Sequence, residues 1–158
     1  MISTINRWIF EKIVSDLVSK LDVTESGDST YLDNSLVFYS NEHSSVHSSV
    51  TVPSITFGGA GGSLETGLYL DYRNRNANGF SVEDDGFPLE KPGVLYNRWL
   101  ITMLQAMGMS PSDYERAGQL GYGDRMEDVR SYVANQRSGF YDGDLANIGL
   151  PLSELLSS

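Results

Sequence analysis

The chain has 158 residues, 40% hydrophobic and 20% charged, which describes one globular domain with its own core rather than an extended disordered chain. Its formal net charge of −10 repels phosphate backbones and anionic membranes, so no nucleic acid partner is expected; cation binding or plain solubility fits the charge. Cysteine is absent, which removes disulfides, thiolate metal ligands and a cysteine nucleophile, and no apolar run approaches the roughly 20 residues of a membrane span.

Residues 3–22 predict an amphipathic helix packed against a sheet. Ile5, Ile9, Ile13, Leu17 and Leu21 recur at every fourth position, and Trp8, Phe10, Val14 and Val18 widen the stripe. Ser3 or Thr4 can cap its start. Arg7, Glu11, Lys12, Asp16 and Lys20 break the apolar core that a signal peptide would need. A complete chain of this kind stays in the cytoplasm, whereas a piece of a longer protein takes its address from the missing part.

The polar stretch "VTESGDSTYLDN" carries turn signals. "SLVFYS" and "VPSITFGG" follow as short, continuous apolar runs rich in strand formers. Such runs predict strands covered on both faces, as in parallel sheets. Helix, buried strand, loop, buried strand is the grammar of an open α/β sheet. "GLYLDYR", residues 67–73, alternates and predicts a third strand at an edge. Residues 74–93 read as a long surface loop. Over 94–107, Tyr96, Trp99, Leu100, Met103, Leu104 and Met107 match the helical template, with Gly108 as the stop. "SPSDYERA" opens a short helix with Ser110 as cap, Pro111 in the first turn and Asp113 near the positive end of the dipole. "MEDVRSYVANQ" predicts another short helix, and the tail has apolar anchors without a long period.

The chain's only two histidines lie in "LVFYSNEHSSVH", directly after the first strand. In open α/β sheets ligands sit at the carboxyl ends of strands, where Glu42, His43 and His47 fall. A carboxylate with two imidazoles suits zinc, manganese or iron, and the carboxylate alone suits magnesium or calcium. The competing reading is an ordinary solvated loop, and the spacing leaves both open. A complete site needs about three protein ligands, and Asp71, Asp84, Asp85, Asp142 and Asp144 are further candidates.

Other motifs carry less. "GGAGGS", residues 58–63, follows a strand but lacks the Lys-Ser/Thr of a phosphate-binding loop, so it reads as a tight turn. "DGD" at 142–144 does not continue as a calcium loop. No G-x-S-x-G is present, so the nucleophile elbow of the α/β-hydrolases is missing.

The order of four segments adds to these readings. "INRWIFEKIVSDLVSKL", "STYLDNSLVFYSNEH", "VPSITFGGAGGSLETGLYLDYR" and "NRWLITMLQAMGMSPSDYE", taken together, resemble the C-terminal part of secreted bacterial proteins marked by an H-x-x-S-H-H motif, a domain of unknown function. That family looks like a distant relative of the alkaline phosphatases and sulfatases. The resemblance implies an α/β fold, part of a three-layer sandwich with a mostly parallel sheet flanked by helices. It also implies metal-assisted hydrolysis of a phosphate or sulfate ester, with Glu42 and His43 in the positions of an Asp-His ligand pair and His47 near a later histidine-bearing loop. A divalent metal (zinc, manganese or calcium) is the implied cofactor, and an extracytoplasmic address follows the family.

Two departures shape the expectation. The H-x-x-S-H-H signature, which the family carries upstream of the first helix, is not in this chain. Ser49 and Val50 stand where the family often has His and Asp. The sequence is therefore expected to be a single domain over 1–158 that forms the C-terminal fragment of a longer protein. Its family-like core runs over about 4–125, and an irregular extension covers 126–158. Its first partner is the missing N-terminal half, and the small-molecule substrate is unknown. The rival reading is a non-catalytic binding or cell-surface module that kept the fold without the chemistry.

Overall fold

A computed structural model describes residues 2–40, 52–76, 93–116, 120–122 and 147–157. The expected helix over 126–136 lies outside the described residues.

The first helical stretch is continuous but not uniform. It runs as α1 (Ile2–Ile9), a π-helical turn (Phe10–Val14) and α2 (Ser15–Leu21), with helical dihedrals at both junctions and the Ser15 N–H bonded to the Phe10 carbonyl. The fourth-residue spacing explains the π turn. Each four-residue step overshoots an α turn by about 40°, so a strict period of four drifts about 160° over four steps. One π turn takes in an extra residue and returns about 100° of that drift. Two apolar rows result. Phe10 and Val14 face inward, where the Phe10 ring meets Tyr39 at 6.0 Å and Phe57 at 6.1 Å. Ile5, Ile13 and Leu17, expected on the buried stripe, stay 53%, 53% and 45% exposed, as does Trp8 at 57%. Ser3 and Thr4 lie inside α1 instead of capping it.

A small hairpin follows, β1 (Thr24–Ser26) against β2 (Ser29–Thr30), turning through Gly27 at φ +58°. The Asp33 carboxylate locks it by accepting the Thr30 N–H at 2.7 Å and the Thr30 hydroxyl at 3.0 Å.

The two predicted buried strands exist as β3 (Val37–Ser40) and β4 (Ser54–Phe57), but they pair with each other antiparallel, in the register Val37↔Phe57 to Ser40↔Ser54. The parallel pairing suggested by their apolar runs is thus corrected for these two strands. Ser40 ends β3 directly opposite Ser54, which starts β4, so the two strand ends that a connection must join lie side by side, as antiparallel pairing requires. The apolar runs have a different cause: helices touch both faces. Cross-strand partners share a face. The side of Val37, Tyr39, Ile55 and Phe57 meets Phe10. The side of Phe38 and Ser40 meets α3 (Tyr96–Ala106), with Phe38 edge-on to Trp99 at 5.1 Å. The fold is mixed helix and strand; the sheets among the described residues are two antiparallel pairs.

Residues 67–73 do not form the expected third strand. Only Arg73 bridges, to Gly93, and Leu68, Tyr69 and Leu70 are 52%, 89% and 41% exposed. Alternation alone cannot make a strand without a neighbour to take its backbone hydrogen bonds.

The second predicted helix is α3, and its stop is as expected. Gly108 at φ +84° follows the helix, with its N–H on the Gln105 carbonyl and the Met109 N–H on Leu104, a Schellman closure. Its buried residues are Ile101, Thr102, Met103 and Ala106, while Met107 is 55% exposed. The short helix α4 (Pro111–Tyr114) starts as its sequence predicts: the Ser110 N–H donates to the Asp113 carboxylate at 2.7 Å.

The core centres on Ala60, Leu64, Met103 and Ala106, with Leu36, Trp99, Leu155 and Leu156 packed against it. The aperiodic tail is integral to this core. Ile148 and Leu152 are 0% and 2% exposed, Leu156 bridges Leu64, and the Glu65 N–H bonds the Leu155 carbonyl. Thr102, fully buried, joins tail to helix: its hydroxyl donates to the Arg98 carbonyl at 2.7 Å and accepts the Leu152 N–H at 2.8 Å. Arg98 adds bonds to the carbonyls of Leu150 and Pro151. Among the described residues no helix is long and apolar enough to cross a membrane.

Candidate functional site

The strand ends that flank the segment carrying Glu42, His43 and His47 are described; residues 41–51 are not, so the three candidate ligands lie outside the described residues. Before that segment β3 ends at Ser40, and after it Val52 and Pro53 lead into Ser54 directly opposite. Three hydroxyls meet at these strand ends. Ser40 Oγ and Ser54 Oγ are 3.0 Å apart, Ser40 Oγ also reaches the Pro53 carbonyl at 3.2 Å, and the Tyr96 hydroxyl donates to Ser40 Oγ at 3.2 Å. Tyr96 opens α3 and stacks on Trp99 at 5.2 Å, which holds its ring beside the end of β3. The strand register sets the first contact and the α3 packing sets the second. Neither is visible in the order of residues, because Tyr96 lies far along the chain from Ser40.

Of the further carboxylates named as possible third ligands, Asp84, Asp85, Asp142 and Asp144 also lie outside the described residues, as does the "DGD" turn. Asp71 is described, and it is committed elsewhere. Arg73 grips both of its oxygens, Nε on Oδ1 and Nη2 on Oδ2, each at 2.7 Å, and Arg75 adds a bond to Oδ2. Hydrogen bonds from the two guanidiniums hold the Asp71 carboxyl far below the usual carboxylate range. A group so engaged is a poor donor to a metal until both arginines let go. Among the described residues no three His, Asp or Glu side chains converge as a metal-binding group.

The glycine loop behaves as the turn its sequence predicts. The N–H groups of Ala60, Gly61, Gly62, Ser63 and Leu64 all donate to protein carbonyls, those of Ser35, Asp33, Gly59, Ala60 and Gly59 again. These amides are therefore spent on the fold and cannot cradle a phosphate. Gly58 shows why glycine is required. At φ +88°, a Cβ there would lie 2.3 Å from the Ser35 carbonyl oxygen and 2.5 Å from that of Leu32. A shallow concavity of about 280 Å³ opens beside this loop, lined by Asn34, Ala60, Gly61, Ser63 and the end of α3. Among the described residues its lining holds no ionisable side chain.

Elsewhere, Tyr72 is the described ionisable group with a marked upward shift. Burial and a 2.7 Å hydrogen bond to Glu154 push its hydroxyl well above the usual tyrosine range, so it is a fixed donor to the tail and not an acid or base near neutral pH.

No family model matches the chain, and neither a curated protein nor a solved structure matches it.

Proposed function

We propose that the chain is the C-terminal part of an exported, metal-dependent phosphate or sulfate ester hydrolase related to the alkaline phosphatases. Glu42, His43 and His47 contribute half of a divalent-metal site, and an N-terminal half of the same protein supplies the remaining ligands and the nucleophile. The metal would polarise the ester oxygen and hold the attacking group. In this reading β3 and β4 belong to a larger, mostly parallel sheet within a three-layer sandwich, which commonly carries an antiparallel strand at its edge.

One observation carries the proposal. The segment with the chain's only histidines springs from a strand pair whose ends are tied by the Ser40, Ser54 and Tyr96 hydroxyls and backed by helices on both faces. Sites gain precision when their ligands rise from rigid elements. The half-exposed Ile5, Trp8, Ile13 and Leu17 row, with Phe38 and Ile55 on the strands, offers apolar surface to such a second half.

The test is elemental analysis of the full-length protein beside its Glu42→Ala, His43→Ala and His47→Ala variants. Loss of bound zinc, manganese or calcium in each variant supports the reading. Unchanged metal stoichiometry removes it.

The rival reading is a binding or cell-surface module without chemistry. The capture of Asp71 by two arginines favours it, because Asp71 is the one described residue among the further ligand candidates and both of its oxygens are already engaged. Titration calorimetry with the same three metals separates the two. Absence of heat and of thermal stabilisation selects the module.

A further inference from the structure

We draw no further inference here: the strongest candidate, the half-exposed apolar row of Ile5, Trp8, Ile13 and Leu17 on the outer side of the first helix, carries nothing because nothing in the structure shows what covers it.

Discussion

Gly58→Ala is the most discriminating single perturbation of this fold. Two costs add. An L-residue at φ +88° pays left-handed strain of about 1–2 kcal/mol. The new methyl also arrives 2.3 Å from the Ser35 carbonyl and 2.5 Å from the Leu32 carbonyl, both rigid backbone atoms. Neither can retreat freely: the Ser35 carbonyl accepts the Ala60 N–H at 3.0 Å and the Leu32 carbonyl accepts the Ser35 N–H at 3.0 Å. Losing both bonds costs about 0.5–1.5 kcal/mol each, so the total is roughly 2–5 kcal/mol. Gly62→Ala is the control. Gly62 has nearly the same φ, +87°, but nothing within 4 Å of its added Cβ. Its strain is partly offset by the stiffer unfolded chain, leaving roughly 0.5–1.5 kcal/mol. At about 2–4 °C per kcal/mol for a chain of this size, Gly58→Ala should lower Tm by about 4–20 °C and Gly62→Ala by only a few degrees. Thermal unfolding of both variants by circular dichroism at low protein concentration reads the difference. Equal shifts would refute the close approach of Gly58 to the 32–35 backbone.

Other outcomes follow from the same contacts. Thr102→Val removes the buried hydroxyl and strands the Leu152 N–H, so it should cost about 1–3 kcal/mol, whereas Thr102→Ser keeps both bonds and costs less; urea unfolding that ranks them the other way counts against the tail-to-helix tie. Ile148→Ala in the tail should destabilise by about 2–5 kcal/mol, as for a fully buried core residue; a change below that range in the same assay would mean the tail is peripheral. Hydrogen bonds hold Asp113 (Ser110 side chain, then Ser110 N–H) and Asp33 (Thr30 N–H, then Thr30 hydroxyl) below the ordinary carboxylate value of 3.8. A depressed folded-state value contributes stability that is present above 3.8 and lost as pH falls through the folded value. Stability measured against pH should therefore drop on the acid side, and Asp113→Ala should flatten that drop; an unchanged acid limb would contradict it. Ile13→Lys with Leu17→Lys should raise the monomeric fraction of the isolated chain in light scattering, since both side chains stand half in water; no change would show that this face is not adhesive.

Local chemistry was readable wherever a short-range rule decides the outcome. Ser110, Pro111 and Asp113 announce the start of α4, and Gly108 announces the end of α3, because caps depend on neighbouring dihedrals and donors. The apolar runs of β3 and β4 reported strands with contacts on both faces but neither their direction nor their exposure, since Phe38 and Ile55 stay 50% and 45% exposed. Direction depends on which backbone lies alongside, and coverage by Phe10 on one face and Trp99 on the other leaves the same apolar signature as a parallel sheet. The 67–73 segment failed as a strand for the same reason: its alternation is real, but no ladder partner stands beside it among the described residues. At the candidate site, the sequence could assemble Glu42, His43 and His47 by proximity alone. It could not show that Asp71 is held by Arg73 and Arg75, nor that Tyr96 reaches Ser40.

The sequence by itself determined that a long amphipathic helix, two apolar strands, a glycine turn and a second helix follow in that order, because each is set by periodicity, φ preference or capping within a few residues. Only the tertiary structure decided which row of the first helix is buried, that the strands run antiparallel, and that an aperiodic tail completes the core through Thr102 and Leu152. These outcomes rest on contacts between residues far apart in the chain, whose energies depend on shape and pairing and leave no periodic trace in the order of amino acids.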